Sequence, residues 1–382
     1  DGVRVVHLLL SPLPTRWMDL SENQNEILFV TFNDEKSCFA VGTESGFRIY
    51  NCEPCEEIYR HDFEDGGVGV VEMLGRSNIL ALVGGGPRPH FPPTSVIIWD
   101  NESQNIIWEL SYKVAVCGVK LLRDRVFVLL ERRIVHYSVA PNFREITYTH
   151  HINTEPNRKG LCAVSPHPVG GISVFACPAP SRNDVLIQIY SDAAESDQVV
   201  KKEVAIPAAH NSPLQAMALS CDGTILATAS ETGTLIRVWS TKRGTKLREL
   251  RRGTDGAEVF SIAISPDNLW LCCSSDKGTV HLFSLNPQLP NKRSALSAVP
   301  MPPGMQWHLS EWALATYRVS ELFSLCSFGS QPDGGNILVL TEAGLHNCSN
   351  VAGTDGAHEL QRQAFKKIRR HHDPDTSEPS RR

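Results

Sequence analysis

Apolar residues in this chain come in short runs closed by Gly, Pro, Asn or Asp, and helical spacing is weak throughout. Val126 to Leu130 and Ile134 to Val139 are two such runs, and Met217 to Ser220 before Cys221-Asp222-Gly223 is another. Each is the length of one strand, and turn residues punctuate them often, so the pattern predicts an all-β chain.

Three segments follow one plan. They are Ala40 to Tyr50, Ala229 to Trp239 and Ser274 to Phe283, each a small-residue strand, a polar turn closed by Gly, and a strand ending in an aromatic residue. Gly46, Gly233 and Gly278 occupy the turn, where positive φ is needed. The last two are 45 residues apart, the spacing of a four-stranded propeller blade. Less regular copies fill the rest, so units fall near 22–60, 66–112, 113–151, 158–203, 210–250, 257–320 and 321–365. A closed ring leaves few free strand edges. The pattern therefore predicts a seven-bladed β-propeller of WD-like repeats.

Two stretches break the repeat and one precedes it. Residues 1–21 read as an N-terminal extension to a propeller over 22–360. Residues 287–313 interrupt the sixth unit, and 361–382 form a basic tail expected to be solvated and disordered. Leu345-His346-Asn347-Cys348-Ser349 is poor in aromatics, which leaves open whether blade seven closes by itself or with the N-terminal segment.

Composition narrows the function. The 382 residues are 41% hydrophobic and 21% charged, as in a globular protein with a substantial core. No apolar stretch approaches the roughly 18 residues that cross a bilayer, and Val5 to Leu10 lacks the flanks of a signal peptide. A cytoplasmic, monomeric protein is expected. Eleven scattered cysteines suit a reduced compartment, and Cys52 with Cys55 finds no second ligand pair for a metal. A net charge of −5 argues against nucleic acid as a partner. Hydrolase elbows, phosphate loops and zinc-protease motifs are missing from the sequence, so neither an enzyme nor a cofactor is expected.

Against that acidic background, Arg237 to Gly253 carries seven basic residues and one acid, Glu249. Arg251 and Arg252 are adjacent in an extended segment, so their side chains diverge. Small hydroxyls and imidazoles flank both sides: His210, Thr228, Ser230 and Thr234 before, and Ser275, Thr279 and His281 after. These groups can donate to phosphate, and Arg can do so in bidentate fashion. The 287–313 insertion mixes Lys292 and Arg293 with Leu289, Leu296, Met301, Met305, Trp307 and Trp312, a blend suited to a membrane interface.

Leu250-Arg251-Arg252-Gly253, together with Leu74 to Gly86, Asn157 to Cys162 and Asp276 to His281, resembles the PROPPIN family of propellers, the WIPI proteins of animals. The likeness is greatest to the branch containing WIPI three and four. It implies an effector of autophagy that binds phosphatidylinositol 3-phosphate and phosphatidylinositol 3,5-bisphosphate at two sites flanking the arginine pair. By resemblance, the first site uses His210, Thr228, Ser230, Gly233, Thr234, Arg237 and Arg251. The second uses Arg252, Gly253, Ser275, Thr279 and His281. The resemblance also implies membrane insertion by Leu296, Met301, Met305 and Trp307, and recruitment of a lipid-transfer protein of the Atg-two type near Asn33 and Asp34. Peripheral association with preautophagosomal and endolysosomal membranes follows. The competing reading is a generic WD-repeat scaffold whose basic face holds acidic protein partners.

Overall fold

Seven sheets form, each built on a four-stranded antiparallel meander, and one of them gains a fifth, parallel strand from a later segment. The structure is a computed structural model and describes residues 27–165, 171–191, 200–293, 310–321, 323–329, 335–353 and 358–368. The extension expected over residues 1–21 lies outside these. Blades one to four span 27–62, 67–111, 116–153 and 163–206. Blade five comprises Leu214–Leu219, Ile225–Ser230, Leu235–Ser240 and Lys246–Arg251. Blade six comprises Val259–Ile264, Trp270–Ser275, Thr279–Ser284 and Ala315–Arg318. Each sheet falls within a few residues of a unit expected from the repeat. The one helical segment among the described residues is the short turn Pro141–Phe143.

Burial explains why these runs look apolar without strict alternation. Middle strands such as Cys38–Thr43 and Gly46–Cys52 are buried throughout, while the outer strand Cys55–Asp62 alternates between half-buried and exposed. A blade's middle strands meet a neighbouring sheet on both faces, whereas its outer strand faces solvent at the rim. Apolar clusters accordingly sit in every seam between adjacent blades. Gly233 and Gly278 take φ of +62° and +63°, and the N–H of each closes its turn on the carbonyl of Ser230 or Ser275.

Blade seven answers the open question of its closure and moves one expected boundary. It closes with its own four strands, Ser324–Phe328, Asn336–Thr341, Gly344–Ala352 and His358–Lys367. The propeller therefore runs to Lys367, and Arg362, Lys366 and Lys367 belong to an outer strand rather than to a solvated tail. Alternation is weak in that strand because only Leu360 is buried. The ring is joined by side-chain contacts, with no strand exchanged between blades one and seven among the described residues. Phe39, Val41 and Tyr50 of blade one meet Leu338, Leu340 and Leu345 of blade seven, and Glu53 accepts hydrogen bonds from Asn336 and Asn347 at the edge of the seam.

Inner strands surround an axial cavity of about 420 Å³. Several of its polar groups pair: Lys120 meets Glu72 at 2.9 Å, and Lys159 reaches Gln215 at 2.5 Å and Glu258 at 3.5 Å.

Candidate functional site

The outer strand of blade five, Lys246–Arg251, delivers the arginine pair to the rim beside blade six. Leu250 is fully buried in the seam between blades five and six, which fixes the register. Alternation then sends the side chains of Arg251 and Arg252 to opposite sides of the strand. Both are largely buried, at 9% and 6% exposure.

Arg252 stitches the outer strand to the turn inside it. Its main-chain N–H donates to Thr234 O at 2.9 Å, its Nε to Gly233 O at 2.7 Å, and a terminal nitrogen to Asp255 O. Gly233 is obligatory there, because a Cβ would sit 1.7 Å from Ala257 O. Gly253 differs: a Cβ would meet nothing within 4 Å, so the fold itself does not require glycine at that position.

On the Arg251 side, His210 and Thr228 lie 2.8 Å apart, and Trp239 Nε1 donates to Thr228 Oγ1 at 2.9 Å. Thr228 Oγ1 is engaged by both His210 and Trp239, so in this structure its hydroxyl serves an internal chain. Burial, with help from Arg237, pushes the His210 pKa down to about 4, so the ring is neutral at pH 7. Arg237 donates to Ala209 O at 2.7 Å and pairs with Glu249 at 3.1 Å. Ser230 is buried and Thr234 half-buried beside them. Among the described residues the Arg251 side chain makes one long hydrogen bond, to Gly253 O at 3.4 Å, and its buried Nε has no partner.

The Arg252 side faces blade six. Ser275 Oγ and His281 Nδ1 are buried and have no hydrogen-bond partner among the described residues. Burial, and then the cation of Arg252, pushes the His281 pKa down to about 4. Thr279 is half-buried, and its hydroxyl makes only a 3.5 Å contact with Lys277 O. Leaving a buried polar group unmade costs roughly 1–3 kcal/mol, so such groups commonly mark a place where a ligand completes the set.

Other expectations redistribute. The seven-to-one charge surplus of Arg237 to Gly253 is thinner in space than along the chain. Glu249 takes both Arg237 and Lys246, and Glu311 takes Arg248 at 2.9 Å. Lys242 and Arg243 are exposed in the turn that precedes Lys246–Arg251, a strand length away from the arginine pair. Leu296, Met301, Met305 and Trp307 lie outside the described residues. Asn33 is only 2% exposed, and its amide is occupied by Ser37 Oγ, Gly75 O and the N–H of Cys38. Its side chain builds the first turn. Asp34 is half-buried and lines the axial cavity. Sequence reasoning missed Trp239, although the repeat marks it as the aromatic ending the third strand. It also missed the Glu311–Arg248 pair and the contact of Trp312 with Arg251, for which the sequence carries no signal.

The ring of blades and the rim site define a WD-like β-propeller with a double-arginine seam. The PROPPIN family model matches residues 27–300, and the chain belongs to that family. It is 41% identical over 260 residues to SVP1-like protein 2 of Neurospora crassa, covering 68% of this chain and 56% of that relative's length. It is 35% identical over 320 residues to autophagy-related protein 18e of Arabidopsis thaliana, covering 82% and 81% of the two chains. The solved structure of Kluyveromyces lactis Hsv2 superposes with a TM-score of 0.70 at 23% identity, over 91% of this chain and all of that one. Among the described residues no helix is long and apolar enough to cross a membrane, and no His, Cys, Asp and Glu group could hold a metal.

Proposed function

We propose that this chain is a non-enzymatic effector of autophagy that docks peripherally on membranes by gripping phosphatidylinositol 3-phosphate and phosphatidylinositol 3,5-bisphosphate. The observation that carries this reading is the pair of diverging, buried arginines with unpartnered donors beside them: Arg251 Nε on one side, Ser275 Oγ and His281 Nδ1 on the other. A phosphate monoester presents several acceptor oxygens to such donors. His210, Thr228, Ser230, Thr234, Arg237 and Arg251 would form one pocket, with Gly233 shaping its turn. Arg252, Gly253, Ser275, Thr279 and His281 would form the other. Family membership and autophagy-related relatives support the setting.

Leu296, Met301, Met305 and Trp307 would enter the lipid interface once the headgroups are held. Binding two headgroups on one rim multiplies weak single-site affinities, because the second capture is intramolecular. Recruitment of protein partners accompanies docking. A lipid-transfer protein of the Atg-two type is one candidate, and a solved relative is a complex of Atg21 with the coiled coil of Atg16.

Flotation with vesicles of neutral lipid, with and without phosphatidylinositol 3-phosphate, tests the reading. Wild type should float only with the phosphoinositide. Arg251→Ala combined with Arg252→Ala should stay at the bottom while its far-ultraviolet spectrum still reports a folded propeller. Equal flotation of this double variant would overturn the assignment and favour a scaffold that holds acidic proteins.

A further inference from the structure

Residues 285–314 leave blade six after its third strand and return as its fourth, yet their described ends are fastened to blade five. Glu311–Trp312 pairs parallel with Lys246–Arg251 as a fifth strand, setting Leu250 opposite Glu311 and Arg251 opposite Trp312. The Glu311 carboxylate receives Arg248 at 2.9 and 3.1 Å and Asn291 Nδ2 at 2.7 Å. Asn291 is itself locked to the Ser284 main chain by two 2.7 Å bonds, and the Trp312 N–H donates to Lys292 O at 2.8 Å. Ser310 Oγ donates to Glu249 at 3.3 Å, next to Arg237. This clasp holds the Trp312 indole with the Arg251 guanidinium carbon 5.9 Å from the ring centroid.

The consequence falls on Arg251. The one hydrogen bond its side chain makes among the described residues is 3.4 Å long, too weak to hold a planar guanidinium in one orientation. An aromatic face over the cation supplies the missing constraint and leaves the edge N–H donors free for a ligand. We propose that Trp312, carried in from blade six, is a positioning residue for Arg251. In this arrangement the pocket on the Arg251 side, and not the one on the Arg252 side, depends on the loop clasp for its affinity toward a phosphate monoester. This rests on the phosphoinositide reading of the site.

Calorimetry with soluble inositol 1,3-bisphosphate, which needs no membrane and no loop insertion, tests both levels separately. Wild type should show two binding events, and no heat from wild type would overturn the site reading itself. Trp312→Ala should weaken one event roughly 3- to 30-fold, the range of a partly desolvated cation–π contact, and leave the other unchanged. Trp312→Phe should restore the weakened event, whereas Trp312→Leu, apolar but without a π face, should not. In an Arg251→Ala background Trp312→Ala should cause no further loss, while in an Arg252→Ala background its full effect should persist. If Trp312→Ala melts early, the contrast between the Phe and Leu variants at matched stability decides. Equal affinities for Leu and Phe, or an undiminished effect of Trp312→Ala without Arg251, would overturn the proposal.

Discussion

Thr228 sits at the junction of two buried hydrogen bonds, and replacing it by Val removes both with almost no change of shape. Trp239 Nε1 loses its acceptor at 2.9 Å and His210 Nε2 loses its partner at 2.8 Å. Trp239 and His210 are 7% and 3% exposed, so water cannot replace the hydroxyl without the seam opening. Each orphaned buried group costs roughly 1–3 kcal/mol, so Thr228→Val should cost about 2–6 kcal/mol. For a large domain roughly 2 °C accompany each kcal/mol, which puts the expected fall in melting temperature at about 4–12 °C. Thermal unfolding followed by circular dichroism measures it, and Thr228→Ser is the control that keeps the hydroxyl. A Val variant that melts with the wild type, or a Ser variant as unstable as Val, would refute the internal role assigned to this hydroxyl.

Three further outcomes follow from the same geometry. Gly253→Ala should melt like the wild type, because its Cβ enters open space, yet it should weaken inositol phosphate binding if the headgroup approaches there. Gly233→Ala should unfold several degrees earlier in the same scan, because its methyl would strike Ala257 O and its φ is +62°. His210 and His281 both hold folded pKa values of about 4 against an ordinary 6.5, so the unfolded chain binds more protons between those limits. Their stabilisation is complete above 6.5 and drains away as pH falls toward 4. Melting temperature should therefore drop from pH 7 to pH 5, and His281→Gln should flatten that slope.

Much of the fold could be read from the chain alone. Strand-length apolar runs, turn glycines in register and a 45-residue spacing specify a blade wherever it occurs, because a blade is built from local hairpins. The arginine pair with its flanking hydroxyls and imidazoles stands out differently, as a basic run in an acidic chain. Position along a blade, however, does not say which groups remain free. Side-chain geometry within blade five commits Thr228 to Trp239 and His210, the first turn commits Asn33 to Cys38, and Ser275 Oγ and His281 Nδ1 are left without partners among the described residues. The ring closes through packing of Phe39 and Tyr50 against Leu338 and Leu340, residues hundreds of positions apart whose contact no local pattern encodes. The clasp of Glu311 and Trp312 on blade five is of the same kind. Hairpin pairing is a short-range property of sequence, whereas seams and clasps depend on where the closed ring brings distant side chains, and only the tertiary structure decides that.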